Sequence, residues 1–525
     1  MSTRDPNPPP PDAPPARERR RPAWLLPAGV VLVALVTFGV AALLINIFER
    51  RQEARNPYIR FVEVDENTTD PAVWGQNWPR QYESFMRTVD YERTRYGGSD
   101  AIPRQKLDAY PWLRTMWAGH AFSIDYRESR GHAFALHDQD HTERVAQRPQ
   151  PGACLHCHAA VMPAYRAMGN GDVMEGFRVV SRMRWNEARN LVDAQGQPLI
   201  SHAVTCVDCH DSQTMALRVT RPGLINGMRA FQASLGRQNY DINRDATRQE
   251  MRTLVCAQCH VEYYFEPENK LVVFPWGKGI RVEQMIEYYD SVGFSDWQHG
   301  MTGSGMLKAQ HPEFELFSQG IHARAGVACA DCHMPYGREG AMKVSDHHVR
   351  SPVLNIQRAC QTCHNVPEAE LVERIHTIQD RTHALINRSG VALTDMINAI
   401  SAAREAGVPD AQLAAAVRLQ REAQFRIDFI YSEGSHGFHA SQESARILAE
   451  ALDLARQGQA MATLLNPQAV ARTEAPVEAV GGVTPDAAAP PGPYERGGDP
   501  GRPDPGSADP ARQNGATTGR AARRP

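Results

Sequence analysis

The chain has 525 residues, a formal net charge of −3 at pH 7, 20 histidines and 10 cysteines. So small a net charge gives no global sign of a nucleic acid or a strongly charged partner. The length alone allows roughly three domains, so the order of elements along the chain carries more information than these totals.

The N-terminal region contains a polar segment and then an apolar one. Residues 1–22 are rich in proline and arginine, which predicts disorder. Ala23–Phe48 carries no charge, whereas a membrane span needs about 20 such residues and a signal-peptide core only about 7–15. We therefore expect an uncleaved transmembrane anchor. A buried core helix is the alternative, although it would normally have a polar face.

All ten cysteines fall in five Cys-x-x-Cys pairs, and a histidine follows each pair at once. The cysteines are Cys154, Cys157, Cys206, Cys209, Cys256, Cys259, Cys329, Cys332, Cys360 and Cys363. The histidines that follow them are His158, His210, His260, His333 and His364. Disulfide frameworks and zinc sites have no such rule, whereas Cys-x-x-Cys-His is the attachment motif of c-type haem. We therefore predict five covalently bound haem c groups, with the body of the protein on the periplasmic side of the bacterial cytoplasmic membrane.

The remaining elements suggest one haem-packed domain over residues 56–465. Up to His364, glycines, prolines and short apolar runs predict order from central haems more than from large sheets. From about residue 366, apolar residues recur at helical spacing, and further helices are expected over 411–431 and 442–465. The predicted fold is mainly α, a multihaem cytochrome c with little β-structure. Residues 466–525 have the composition of a disordered tail.

The number of histidines does not show whether one haem iron lacks a second axial ligand. Five haems that only carry electrons need ten axial ligands, because both axial positions are then filled. The motifs supply five, and fifteen other histidines remain available.

Four further segments, taken with the haem sites, indicate a family. They are RGHAFAL (Arg130–Leu136), CAQCHVEYYF (Cys256–Phe265), LKAQHPE (Leu307–Glu313) and DCHMP (Asp331–Pro335). With them the chain resembles the ammonia-forming pentahaem cytochrome c nitrite reductases over roughly residues 117–443. The resemblance implies six-electron, eight-proton reduction of nitrite to ammonium. It also implies a homodimer formed through the C-terminal helices and a membrane quinol dehydrogenase cytochrome as electron donor.

In that family four haems have two histidine ligands and the fifth is open. The resemblance implies these distal ligands: His132 for the haem at Cys256/Cys259, His322 for Cys360/Cys363, His347 for Cys206/Cys209 and His439 for Cys329/Cys332. His348 and His436 are close competitors for the last two positions. The haem at Cys154/Cys157, with His158 below it, is then the catalytic centre.

The resemblance also implies three residues around the open face, Arg144, Tyr263 and His311, which we term the active-site trio. Arginine and a protonated histidine hold an anion through charge-assisted hydrogen bonds and stabilise a departing oxygen. Histidine also delivers protons near neutral pH. The trio therefore suits nitrite.

A calcium site is implied beside the trio. Its protein ligands would be the side chains of Glu262 and Gln310 and the backbone oxygens of Tyr263 and Lys308. Carboxylate and carbonyl oxygens are the ligands that calcium prefers. Without LKAQHPE, Glu262 would be interpreted as an ordinary solvated acid.

One departure and two alternatives stay open. Most members of the family carry lysine after the Cys-x-x-Cys pair of the catalytic haem, whereas CLHCH has histidine there. The reduction potential of this haem and the turnover of the enzyme therefore stay open. A membrane-tethered electron-transfer cytochrome would need a tenth ligand, for which the candidates are His137, His141 and His156, and would not need the trio. Reduction of another small oxyanion, such as sulfite, is the second alternative, and hydroxylamine and nitric oxide are further substrates of the family.

Overall fold

The structure is a computed structural model that describes residues 24–53, 60–340 and 342–466. The two segments predicted to be disordered lie outside these ranges, apart from Asn466. The chain divides into two compact units. One comprises Met1–Tyr58 with Arg338–Lys343, and the other comprises the rest of the chain.

Helix α1, Leu25–Glu53, lies in the first unit. Its segment Pro27–Phe48 has 22 residues, a mean hydropathy of 2.7 and no residue buried within the structure. A helix without a polar face is stable where lipid, or other protein, covers it. This helix is therefore long and apolar enough to cross a membrane, although a signal sequence meets the same criteria.

If α1 is an anchor, the native protein should stay with membranes after a high-salt wash, because salt weakens surface charge contacts but not burial in lipid. A chain that starts at Asn56 should be soluble and keep the same visible haem spectrum. Recovery of the cellular protein with an N-terminus beyond residue 48 would instead show a cleaved signal sequence.

The second unit consists of helices joined by loops and short strand pairs. Its helices are α2 Pro71–Asn77, α3 Pro79–Met86, α4 Lys106–Ala109, α5 Trp112–Met116, α6 Ala135–Asp140, α7 Glu143–Gln147, α8 Leu155–His158, α9 Met162–Met168, α10 Val173–Arg182, α11 Trp185–Arg189, α12 Cys206–Cys209, α13 Pro222–Ser234, α14 Ile242–Asp245, α15 Arg248–Ala257, α16 Val282–Ser291, α17 Glu313–Phe317, α18 Ile321–Arg324, α19 Cys329–His333, α20 Ile356–Ala359, α21 Glu368–Glu405, α22 Asp410–Ser432 and α23 Ser441–Leu465. Short 3-10 helices lie at Arg87–Val89, Ala121–Ser123, His132–Phe134, Gly152–Cys154 and Pro352–Asn355.

The strands form small separate ladders. The pairs are β1 Tyr264–Phe265 with β2 Val272–Val273, β3 Trp297–Gln298 with β4 Gly305–Met306, and β5 Tyr336–Glu339 with β6 Met342–Ser345. The predicted mainly α fold with long C-terminal helices and little β-structure is confirmed.

Helices α21, α22 and α23 pack together through their apolar faces. Leu393, Met396 and Ile400 of α21 are fully buried, and burying such a side chain stabilises the fold by about 1.5–3 kcal/mol. Gly390 lets α5 approach α21, because a Cβ there would lie 2.4 Å from the Trp112 ring. Helix α22 of this bundle also contacts α16 and β4.

Four haem-attachment motifs lie on or at the end of helices, and the fifth lies in the turn directly after a helix. The first four motifs coincide with α8, α12, the end of α15 and α19, and the fifth follows α20. Residues three apart share one face of a helix. Each turn therefore presents its two thiols side by side, with the histidine directly after them.

Candidate haem sites and active site

Four of the five motif histidines lie opposite a second imidazole. The distances between ring centres are 6.2 Å for His260 and His132, 6.2 Å for His210 and His347, 6.3 Å for His364 and His322, and 6.4 Å for His333 and His439. These are the four pairs that the family resemblance implies. Each pair joins residues far apart in the chain.

The spacing within these pairs fits an intervening iron. An imidazole nitrogen binds a first-row metal at about 2.0–2.1 Å, so two imidazoles on opposite sides of one metal have ring centres roughly 6.3 Å apart. The ring centres of His260 and His311 also lie 6.3 Å apart, so the pairing of His260 with His132 rests on the family resemblance as well as on the distance. The donor set therefore suits haem.

In four of the motif and distal histidines, including the unpaired His158, the backbone holds one ring nitrogen. Nδ1 lies within hydrogen-bond distance of a carbonyl oxygen in His158 (Ala135, 2.8 Å), His210 (Met215, 3.0 Å), His333 (Arg350, 3.0 Å) and His347 (Ser345, 2.9 Å). Metal-ligating histidines usually donate their other N–H in this way, which fixes the tautomer and ring orientation. Nε2 is then left for the iron.

His158 differs from the other four motif histidines. Within the described ranges, no second imidazole lies opposite its ring. The three alternative ligands have other contacts: the rings of His137 and His141 lie 4.2 Å apart, and His156 Nδ1 lies 3.1 Å from the Tyr165 hydroxyl. Burial lowers the pKa of His158 to about 4, so its neutral, ligating form is favoured.

The active-site trio comes together around the CLHCH motif. The charges of His311 and Arg144 both act on His158. Burial raises the pKa of Tyr263, and Cys157 and Cys154 of this motif are among its electrostatic neighbours. The structure therefore brings all three predicted residues to one haem-attachment motif, although they come from separate segments.

Arg144 is oriented before any substrate arrives. Its Nη1 donates to the Asp125 carbonyl at 2.6 Å, and its guanidinium lies 4.5 Å from the centre of the Phe122 ring. A fixed guanidinium loses little conformational freedom when it binds an anion. This suits a residue that holds a small oxyanion.

His311 combines exposure with an acidic neighbour. Its side chain is 49% exposed, and Nδ1 lies 3.8 Å from Glu313 Oε1. The same oxygen lies 3.6 Å from Nδ1 of the haem-motif residue His260. Burial opposes ionisation of Glu313, but these two histidines hold its pKa down to about 2. A charged carboxylate therefore faces His311, which itself remains open to proton exchange with solvent.

The predicted calcium ligands also lie together. Glu262 is fully buried, with Oε2 accepting from the Gln310 N–H at 2.6 Å and Oε1 accepting from the Tyr289 hydroxyl at 2.9 Å. The Gln310 side chain lies 3.4 Å from the Lys308 carbonyl. Burial raises the pKa of Glu262 well above its usual value. The Glu262 and Gln310 side chains and the Lys308 carbonyl thus lie in one region, where an N–H and an O–H donor contact the two Glu262 oxygens. The described residues hold no cluster of three or more His, Cys, Asp or Glu side chains suited to a metal.

Comparison with known proteins decides the family. Residues 70–486 match the family Cytochrome c552. The chain belongs to the cytochrome c552 family. A cytochrome c-552 of Bacteroides fragilis strain ATCC 25285 is 38% identical over 444 residues, which cover 83% of this chain and 84% of that protein. A cytochrome c-552 of Maridesulfovibrio salexigens is 34% identical over 459 residues, covering 82% and 83%.

A solved structure shows the same fold. It is the catalytic subunit of a cytochrome c nitrite reductase from Desulfovibrio desulfuricans ATCC 27774, described with two calcium sites. The TM-score is 0.69 at 29% identity, and the match covers 78% of this chain and 89% of the other. The predicted family membership is confirmed, and a c-type cytochrome implies covalently bound haem c on the Cys-x-x-Cys-His motifs.

Asp428 is a functional candidate in this cytochrome that sequence reasoning missed. It is fully buried in α22 and forms an ion pair with Lys308 Nζ at 3.0 Å. Its other oxygen accepts from the Ala309 N–H at 3.0 Å and from the Trp117 indole at 3.2 Å. Asp428 thereby holds the loop that carries His311 against the C-terminal helices. In the sequence, Asp428 could have been found as the one acidic residue in the mainly apolar segment FRIDFIY.

Two carboxylates behind the haem histidines were also missed. Glu313 lies beside His260, as described above, and Glu433 forms an ion pair with His439 Nδ1. A carboxylate partner raises the basicity of a ligating imidazole more than a carbonyl does. Two of the eight imidazoles in the four pairs therefore have a carboxylate neighbour, the motif histidine His260 and the distal histidine His439.

Proposed function

We propose that this cytochrome reduces nitrite to ammonium at an open haem on Cys154 and Cys157, fed with electrons by four bis-histidine haems. The reaction adds six electrons and eight protons to nitrite and releases ammonium and two water molecules. The proposal is carried by one observation, the contrast between four paired motif histidines and His158. The nitrite reductase with the same fold gives independent support.

The active-site trio supplies the protein groups that bind nitrite and transfer protons at the open face of the haem. The bound haem would supply the electrons and the position where nitrogen binds. Arg144 holds the anion by charge-assisted hydrogen bonds. His311 transfers protons, which its exposure allows it to regain from solvent. The partly buried Tyr263 hydroxyl, whose pKa is raised, remains protonated and donates a hydrogen bond.

Further parts of the proposal concern assembly. The domain 56–465 would face the periplasm, with α1 as its membrane anchor. We expect a homodimer through the C-terminal helices and a membrane quinol dehydrogenase cytochrome as donor, since α1 carries no haem motif. Native mass spectrometry and reduction by quinol-charged membranes test these two points.

EPR of the oxidised protein, combined with a nitrite assay, tests the function. We expect one high-spin haem among five and ammonium as the product, at six electrons for each nitrite consumed. Five low-spin haems and no turnover would favour the electron-transfer cytochrome. A high-spin haem with turnover of sulfite but not nitrite would favour the other oxyanion.

Calcium removal gives a separate expected result. We propose calcium at Glu262, Gln310 and the carbonyls of Tyr263 and Lys308, where it would hold the Tyr263 segment to the His311 loop. Glu262→Gln should lower the calcium content by about one ion per chain and reduce turnover, with the haem content unchanged. Metal analysis and haem staining measure the two contents.

The matched control for the calcium test is Glu268→Gln, an exposed acid on the same segment. It should change neither calcium content nor turnover. Equal calcium content and full activity in Glu262→Gln would show that Glu262 is not a ligand.

A further inference from the structure

The second variable residue of the haem motifs is buried in three cases out of five. In CLHCH, CVDCH and CAQCH these residues are His156, Asp208 and Gln258, and all three are buried. Covalent attachment requires only the cysteines and the histidine. Polar side chains at buried positions are costly unless they are hydrogen-bonded, so their contacts indicate a second role.

These three motifs converge on one arginine, Arg221, which is 1% exposed. Its Nε donates to the His156 carbonyl at 2.7 Å, and its Nη2 donates to the Ala159 carbonyl at 2.8 Å. Its Nη1 lies 2.9 Å from Asp208 Oδ1. The planar guanidinium therefore binds the first and second motifs at the same time.

The third motif joins through Gln258. Its Oε1 accepts from the backbone N–H groups of Arg221 at 3.0 Å and Thr220 at 2.7 Å. Its Nε2 donates to the Asp208 carbonyl at 3.1 Å. We term Arg221, Asp208, Thr220 and Gln258 the arginine hub.

The hub lies where attachment sites meet. Cys157 and Cys259, from the first and third motifs, are close neighbours. The Arg221 charge acts on both. Small shifts of the hub would therefore change the separation of two neighbouring attachment sites.

An apolar core would join these motifs without the cost of burying charge. Replacing a buried ion pair with well-packed apolar residues is often neutral or stabilising. Arginine offers five donors in a rigid fork, which fixes direction as well as distance. This argues that the hub sets geometry and local charge more than it adds stability.

We propose that Arg221 is a positioning residue for electron delivery, which fixes the first, second and third haem-attachment motifs relative to one another through the arginine hub. The inference rests on the proposed assignment of the first motif as the open site. Arg221 is buried and acts through the motif backbone and side chains.

The test compares Arg221→Lys, Arg221→Gln and the double variant Arg221→Gln/Asp208→Asn, which leaves no unpaired buried charge. Two measurements are made on the full chain with its haems: the reduction potential of each haem by spectroelectrochemistry, and the rate at which electrons from the paired-histidine haems reach the high-spin haem after rapid-mixing reduction. Arg189→Gln is the matched control, since Arg189 is a buried arginine paired with Asp140 outside the motifs.

We expect the double variant to keep five haems and one high-spin EPR signal, with inter-haem electron transfer slowed severalfold, because the transfer rate falls as the separation of the haems grows. The potential of the high-spin haem should shift, Arg221→Lys should recover part of the rate, and Arg189→Gln should match the wild type. Wild-type rates and potentials in the double variant would overturn the proposal.

Loss of haem in the double variant would also overturn it, because the hub would then serve attachment instead of electron transfer. Neither measurement uses nitrite. Failure of the proposed function, seen as wild-type protein without nitrite turnover, is therefore distinguished from failure of the hub.

Discussion

Replacing His311 with alanine should lower nitrite turnover by roughly 10²–10⁴-fold, the range for loss of a positioned proton donor. The haem content and the low-spin EPR signals should not change, because His260, the motif histidine whose ring centre lies 6.3 Å from that of His311, has His132 at 6.2 Å as its proposed axial partner. Steady-state assays with an artificial donor and EPR of the same preparation measure both effects.

The contrasting variant is His322→Ala, eleven residues later, which removes one imidazole of the pair with His364. It should change the spectrum of one low-spin haem. If His311→Ala instead converts a low-spin haem to high spin, His311 is an axial ligand. The electron-transfer cytochrome would then be the better description.

Replacing Asp428 with alanine should destabilise the protein by about 3–5 kcal/mol, because the buried Lys308 ammonium loses its partner. Domains are stable by only about 5–15 kcal/mol, so the effect is large. The loop that carries His311 should also lose its fixed position, and turnover should fall with it. The urea midpoint of the far-ultraviolet circular dichroism signal measures the stability.

Two further variants separate a charge effect from a packing effect. The double variant Lys308→Met/Asp428→Leu should recover much of the stability, since no charge is then left buried. Asp380→Ala removes an ion pair with Arg95 that is about half exposed on each side, and it should cost only about 0–1 kcal/mol. A loss for Asp428→Ala as small as that for Asp380→Ala would contradict the role given to Asp428.

Prediction from sequence worked where the information is local. The spacing Cys-x-x-Cys-His lies within a single helical turn, so the attachment motifs can be read without the fold. Helices α21 to α23 follow an apolar pattern that repeats along the chain, and their presence agrees with expectation. The apolar length of α1 is likewise a local property.

The distal histidines required more than local pattern. A count of histidines left the open haem undecided, and only the family resemblance assigned His132, His322, His347 and His439. The structure places each of them opposite the expected motif histidine. The roles of the active-site trio and of the calcium ligands remain predictions for the experiments above.

The sequence by itself determined the haem-attachment motifs, the mainly helical fold and the apolar N-terminal helix, because each depends on residues within a few turns of one another. Only the tertiary structure decided which groups support them. Asp428 meets Lys308 across 120 residues, and Arg221 meets His156 across 65. No rule of sequence spacing connects such positions. A buried charge needs a partner of opposite charge or a hydrogen-bonding partner, and the tertiary fold determines which residue lies close enough to be that partner.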